Sequence, residues 1–446
     1  MSAIKVARLP LDPGPSGWNR LLPEPPAAES LSQQITADYL IIGAGFAGLS
    51  TARRLVQLQP QATVAVLEAQ RLGDGPAGRS SGFMIDLPHD LASSDYGGDA
   101  TRDREQIKLN RAAIEFAADA AREYGMTREA FSACGKLNAA ATDKGIKHNE
   151  DYAGHLASLD EPSQMVDAAE MQKITGSTWF RGGLFTPGAA IIQSALYIRK
   201  LAEGLSSRVS LYENSPCIAL QKNGPDWTAR TAEGAVTASK VILAVNGHVQ
   251  SFGFFKRQLL HVFTYASMTR ELTDAEIKTL GGDAVWSATP SDPMGTTVRR
   301  ITGTGGARIV IRNRFNCEPS MQINDKRLAS ITRTHDQSFA DRFPMLPDVD
   351  MQYRWGGRLC LSKNNVSAFG QLDDGLYSAC CQNGLGVCRG TLGGMMAAEL
   401  ACGHQSDTLT LLQREAPPVK LPPNALLKLG ANLVIGWQER QAGAEL

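Results

Sequence analysis

The chain carries no net charge: 45 Lys and Arg residues balance 45 Asp and Glu residues over 446 positions. That balance removes the electrostatic case for nucleic acid or an anionic membrane as a main partner. Long apolar runs are missing as well. Nowhere do about 18 apolar residues follow one another, so no membrane span is expected. Residues Met1 to Pro26 have no continuous apolar core and are broken by Pro10, Pro13, Pro15, Pro23, Pro25 and Pro26, which argues against a secretory signal. Cysteine is sparse in pattern rather than in number. Cys134, Cys217, Cys317, Cys360, Cys380, Cys381, Cys388 and Cys402 include no Cys-x-x-Cys pair and have no histidine at zinc-ligand spacing. They read as reduced, mostly buried thiols of a cytoplasmic protein, and no metal site is expected.

What is present is an ordinary globular composition, 43% hydrophobic and 20% charged, in a chain long enough for two interleaved or sequential domains. The periodicity predicts a strand at Asp38–Ile42, an amphipathic helix over Ala47–Gln59 and a second strand at Thr63–Glu68. Helices are expected over 101–124 and 189–204. Strands are expected at Val209–Tyr212, Cys217–Lys222, Trp227–Thr231 and Val241–Val245. Residues 257–316 look strand-rich, notably Leu260–Thr269 and Arg308–Arg314. The glycine-rich Asn383–Gly394 leads into a helix through Cys402, and 416–446 reads as a Pro-containing tail ending in a short helix.

The chemistry is concentrated at Gly43-Ala-Gly45-Phe46-Ala47-Gly48, between the first strand and the helix. Gly43 permits the tight turn, Gly45 lets the backbone approach a pyrophosphate, and Gly48 lets the helix lie close to the sheet. The helix N-terminus then offers unpaired N–H groups to phosphate. Glu68, twenty residues past Gly48, stands where a carboxylate accepts from ribose hydroxyls. This grip alone does not separate FAD from NAD. The small-residue loop Gly78-Arg79-Ser80-Ser81-Gly82 suits a cofactor that continues into a flavin, with Arg79 on a phosphate or ring carbonyl. The helix opened by Gly384-Leu385-Gly386-Val387 would stabilise negative charge on a reduced ring.

Together these segments resemble the D-amino-acid oxidase (DAO) superfamily of FAD-dependent oxidoreductases, nearest to its glycine oxidase and γ-glutamylputrescine oxidase branch. Val241–His248 resembles the family's second flavin strand, Tyr353–Arg358 its Trp-Gly-Gly strand, and Gly384–Gly390 its closing helix. The resemblance spans about residues 17–440. It implies a mixed α/β fold: a Rossmann-like FAD-binding domain of glutathione-reductase type with an inserted, strand-rich substrate domain. The FAD domain would comprise 36–100, 185–255 and 355–415, and the substrate domain 101–184 and 256–354. An extended arm (1–35) and a tail (416–446) would flank them. It further implies FAD contacts from Gly43, Gly45, Phe46, Ala47, Gly48, Glu68, Ala69, Gly78, Arg79, Ser80, Ser81, Gly82, Asn246, Gly247, Trp355, Gly384, Leu385, Gly386 and Val387. The linking cysteine of sarcosine oxidases falls on Gly357 here, so FAD is expected to be non-covalent.

The activity implied is oxidation of a C–N bond in a small amine or amino acid by hydride transfer to flavin, with O2 as acceptor. A quinone or electron-transfer protein in place of O2 is the alternative, and an NAD(P)H-dependent monooxygenase is disfavoured because no second nucleotide grip is visible. The family's carboxylate-binding arginine falls on Leu359, with Arg358 one residue earlier and so on the opposite strand face unless a bulge re-aims it. Arg312 and Arg314 share a face of Arg308–Arg314 with Arg308. Arg312 stands open between an anion clamp and a solvated arginine, and Arg308 reads first as solvated. His261 and Tyr265 are candidates to roof the flavin, set against an ordinary structural role, and His89 is weighed in the same way. No catalytic acid or base is assigned, and the oligomeric state is left open.

Overall fold

The computed structural model describes residues 3–88 and 98–446; His89 lies outside them. Two large sheets and one small one carry the chain. The first sheet has Gln34–Ile42 at its centre, paired in parallel with Val64–Leu67 on one side and Ala235–Leu243 on the other. Strands so placed are covered on both faces and read as unbroken apolar runs, as Leu40-Ile-Ile42 and Val64-Ala-Val-Leu67 do. Ala235–Leu243 pairs with Asp226–Arg230 through its first half and with Leu376–Cys380 through its second. The edge is completed by Ala219–Asn223 and the two-residue strand Ile4–Lys5.

The second sheet runs in the order Met351–Leu361, Leu260–Thr269, Arg308–Cys317, Thr297–Ile301, Trp286–Pro290, Lys136–Ala140, Gly182–Thr186, Gln164–Asp167. Its core, including Val298, Ile309, Ile311, Phe339 and Phe343, lies on the side of the helix Asp325–Arg342. A mixed α/β architecture with two major sheets is therefore the fold.

Local differences from the sequence reading have physical causes. The helix expected over 189–204 starts only at Ser194, capped by the Gln193 side chain on the Leu196 N–H. The preceding Ala190-Ile191-Ile192 is a strand, paired with Phe83–Met84 and Phe131–Ser132. Its β-branched pair favours that choice. In the N-terminal segment, expected to be irregular, Gly17–Leu21 forms a helix capped by Ser16. The short terminal helix of the tail is nineteen residues long, Asn424–Ala442. Among the described residues no helix is long and apolar enough to cross a membrane.

Candidate functional site

Gly43 leaves its strand at φ +104°, and a Cβ there would stand 2.6 Å from the Ala244 carbonyl. A Cβ on Gly48 would lie 1.7 Å from the Gly43 carbonyl, so the helix Phe46–Leu58 can begin this close to the strand only with glycine. Glu68 faces the same turn. Its carboxylate accepts from the Ala44 N–H at 2.8 Å and the Gln70 N–H at 3.0 Å. Burial raises its pKa, and these backbone donors offset the rise only in part.

The turn opens into a cavity with about 1780 Å³ of free space, solvent at its mouth included. Gly43, Gly45, Phe46, Ala47, Glu68 and Ala69 line one end. Gly78, Arg79, Ser80, Ser81, Asn246, Trp355, Gly384 and Gly386 continue the wall. One face of the second sheet roofs it. Thr264 and Ala266, Val310 and Arg312, Thr297 and Arg299, and Trp355 and Gly357 are alternate residues on four adjacent strands. Ala266 is in register with both Arg312 and Trp355, and Arg312 with Thr297.

Several expected contacts fall elsewhere. Gly48 packs against the Gly43 carbonyl and is not among the residues lining the cavity. Gly82, at φ +82°, meets the Ile192 carbonyl and the Arg299 side chain instead of the cavity. Gly247 lies under the His261 ring. The side chains of Leu385 and Val387 pack into apolar clusters. Arg79 lines the cavity, but its fork is already engaged. Nε donates to the Asp74 carbonyl at 2.7 Å, and the two terminal nitrogens donate to the carbonyls of Pro13, Gly14 and Gly356.

The substrate candidates divide in the same way. Arg314 is displaced by a bulge. Thr264 pairs with Phe315 and Tyr265 with Asn313, so Arg314 is the extra residue, at φ +58°, and its guanidinium meets Glu439 at 3.0 Å. Arg308 is buried rather than solvated, bonded to the carbonyls of Thr269 and Gly305 and to Gln352. His261 sits behind the wall with Nε2 against Gln250 Oε1 at 2.8 Å, and burial drives its pKa down to about 4. Tyr265 lines the cavity, with its hydroxyl committed to Asn316 and Arg327. Arg312 and Arg358 reach the lining.

Arg299 was not foreseen, because Thr297–Ile301 carries no strong strand signal. It is 5% exposed, stacks 5.0 Å from the Trp18 ring, and donates to the carbonyls of Ser81 and Ile192. Burial pushes its pKa down to about 10. Among the described residues neither Arg299 nor Arg358 has a carboxylate within ion-pair distance, and Arg358 donates only to the Met321 carbonyl. Trp18, fully buried, donates to the Ser80 carbonyl and meets Trp355 edge-on at 6.0 Å. A buried tryptophan inside a Pro-rich leader was the available signal for it.

A family described as DAO, FAD dependent oxidoreductase, matches residues 38–400. The chain belongs to that family. A DAO-family chain is an FAD-dependent oxidoreductase, and the cavity fits the cofactor. Its glycine turn has no room for side chains, and the buried Asn246 Oδ1 and His248 Nε2 on its wall have no hydrogen-bond partner among the described residues. The probable oxidoreductase OrdL of Haemophilus influenzae is 25% identical over 84% of this chain and 84% of its own length. The γ-glutamylputrescine oxidoreductase of Escherichia coli K12 is 25% identical over 84% of this chain and 86% of its own. Glycine oxidase from Geobacillus kaustophilus shares the fold, with a TM-score of 0.68 at 16% identity over 85% of this chain and 99% of that one.

Proposed function

We propose that this DAO-family enzyme oxidises the C–N bond of a small amine or amino or imino acid that carries an anionic group, with O2 as the acceptor. The observation that carries the reading is the set of guanidiniums on the cavity wall. Among the described residues neither buried Arg299 nor buried Arg358 has a carboxylate in ion-pair contact, Asp12 acting on Arg358 only from beyond that distance, and Arg312 lies on the same roof as Arg299. A buried cation without a contacting anion is costly, so a wall holding such groups favours an anionic occupant. The relatives named for γ-glutamylputrescine and glycine support the amine part of the reading.

FAD, when bound, would supply a two-electron acceptor for hydride, with O2 as the final acceptor giving H2O2. The glycine turn and Glu68 would hold its dinucleotide part. Trp18, Trp355, Val310 and Ala266 keep water from the reacting carbon, and Arg312 and Arg299 orient the substrate by its anion. As the α-hydrogen leaves with its electron pair, the nitrogen lone pair forms the C=N bond and the N–H proton passes to water. Hydrolysis of that imine gives the carbonyl product and the amine or ammonia. Glu68 is the only acid among the described lining residues, and it is tied to backbone N–H groups at the far end. Hydride loss needs the nitrogen lone pair, so the substrate reacts as the free amine, and activity rises with pH toward the bound amine's pKa.

The test is anaerobic loss of flavin absorbance near 450 nm against polyamines, N-alkyl amino acids, imino diacids, D-amino acids and 2-hydroxy acids. Bleaching by one amine class, reversed by O2 with peroxide release, supports the proposal. Bleaching that only a quinone or electron-transfer protein reverses replaces O2 as acceptor, and bleaching by NAD(P)H or a hydroxy acid alone sinks the C–N assignment. Arg312→Ala is expected to raise KM for the anionic substrate roughly 10- to 100-fold, the range of a lost charge-assisted contact.

A further inference from the structure

The helix Asn424–Ala442 is amphipathic with its polar side inward. Strand Arg308–Cys317 runs past the end of its neighbour Thr297–Ile301, which pairs only as far as Arg312. The free stretch of edge is met by side chains of the helix. Asn432 accepts from the Cys317 N–H at 2.9 Å and donates to the Cys317 carbonyl at 3.0 Å. Glu439 accepts from the Phe315 N–H at 2.9 Å and pairs with Arg314, and Lys428 pairs with Glu318 at 2.6 Å. At about 100° per residue, Lys428, Asn432 and Glu439 fall within about 40° of one another.

The opposite side is consequently apolar and open. Leu426, Leu433 and Trp437 stand directly across the helix, flanked by Leu429 and Val434, and their exposures run from 54% to 66%. These are five of the eleven large hydrophobics exposed among the described residues, all on one helix. Gly430 lies in the middle of this stripe with nothing within 4 Å of where a Cβ would be, so a second helix can approach closely between the leucines.

We infer that this stripe is a homodimer interface, in which the helix packs against the same helix of a second copy about a two-fold axis. Five side chains of this size, more than half exposed, present roughly 500–600 Å². A self-complementary pairing doubles that to about 1,100 Å², above the roughly 1,000 Å² a biological interface must clear and at the small end of the scale, as for a dimer that exchanges with monomer. Lipid is the weaker occupant. An interfacial membrane helix uses a Lys- and Arg-rich polar face, whereas here the polar face is spent on the protein and Lys428 is tied to Glu318. The chain as a whole has no net positive charge to draw it to anionic lipid.

The experiment is light scattering and sedimentation of the FAD-loaded full chain at about 1–50 μM, with Leu433→Glu and Trp437→Glu alongside. Both side chains are more than 60% exposed, so neither change disturbs the core. The wild type is expected at twice the chain mass, and each variant weakens self-association at least roughly 30-fold, the loss of one hot-spot side chain, with flavin content unchanged. A monomeric wild type, or a dimer that both variants retain, overturns the proposal. So does flotation of the wild type with phosphatidylcholine–phosphatidylglycerol vesicles that Trp437→Glu abolishes. Each outcome is independent of which substrate bleaches the flavin.

Discussion

At the scale of single residues the most informative groups are ionisable side chains held where water is scarce. Glu68 is raised by burial and restrained by the backbone donors of Ala44, Gln70 and Ala69, which favour its anion. Glu68→Gln keeps the shape but gives up the charge that those donors and a ribose would share. FAD affinity is expected to fall about 10- to 30-fold, the worth of one or two charge-assisted hydrogen bonds, as measured by quenching of flavin fluorescence on titration of apoprotein. An unchanged affinity would place the ribose elsewhere. Lys136 is a purely structural counterpart. It is 2% exposed, its ammonium bonds only Asn138 and Thr289 among the described residues, and burial, opposed in part by the charge of Asp86, lowers its pKa from 10.5 to about 8. A depressed lysine pKa means that the unfolded chain binds more protons between pH 8 and 10.5, so stability rises with pH through that window. Below pH 8 the full penalty stands, roughly 3 kcal/mol for a shift of this size. Lys136→Met should raise the urea midpoint at pH 7 and flatten the slope from pH 8 to 10.5; Thr289 still donates to Asn138 in its absence.

At the scale of elements, the cofactor end of the cavity rests on the contact between the helices Phe46–Leu58 and Gly386–Cys402. A Cβ on Gly394 would lie 2.1 Å from the Ala47 carbonyl, whereas one on Gly393 meets nothing nearer than 4.0 Å. Gly394→Ala must therefore push the two helices apart and is expected to cost about 2–3 kcal/mol or more, as overpacking does. Gly393→Ala, in the same helix, should be neutral or gain up to about 1 kcal/mol from helix propensity. Thermal unfolding of the two variants side by side checks the pair; equal effects would refute the close-packing account. The glycine turn and the small-residue start of the second helix were legible in the sequence because each is local, but the contact between Ala47 and Gly394, residues far apart in the chain, was not. Nor was the roof. Arg299 reaches the cavity through the register of four strands, which no single segment reveals. Arg314 leaves the face it shares with Arg312 because one bulged residue resets the alternation, and the amphipathic tail helix hides its meaning because its polar side faces inward.

At the scale of the whole molecule, the N-terminal segment ties the two sheets together across the cavity. Ile4–Lys5 joins the edge of the first sheet, Val6 donates to the Ile218 carbonyl, and Ala7 donates to that of Ser251. Arg8 then crosses to the carbonyls of Pro319 and Ser320, at 3.1 and 2.9 Å, beyond the end of the second sheet's strand Arg308–Cys317. Pro13 and Gly14 accept from Arg79, and Ser16 donates to the Gly78 carbonyl at 2.9 Å. Val6, Arg8, Leu9, Pro10 and Trp18 line the same cavity as the glycine turn. A segment that lines a ligand's cavity and bonds both its walls must detach before a ligand the size of FAD can leave, so its loss should appear in the release rate first. A chain beginning at Ser16 keeps Trp18, and the main clusters of the first sheet draw only Ile4 and Val6 from the deleted part, as peripheral members. It should therefore fold, yet release FAD at least about 10-fold faster, the effect of one to two lost hydrogen bonds with their shielding. Flavin fluorescence recovered after dilution into excess apo-flavoprotein measures that rate. Arg8→Ala should lie between the two, since it frees one anchor and leaves the others. An unchanged release rate with a lowered thermal midpoint would make the segment a brace between the sheets and nothing more. Faster release at an unchanged midpoint would make the segment a strap that retains the cofactor and adds little to the stability of the fold.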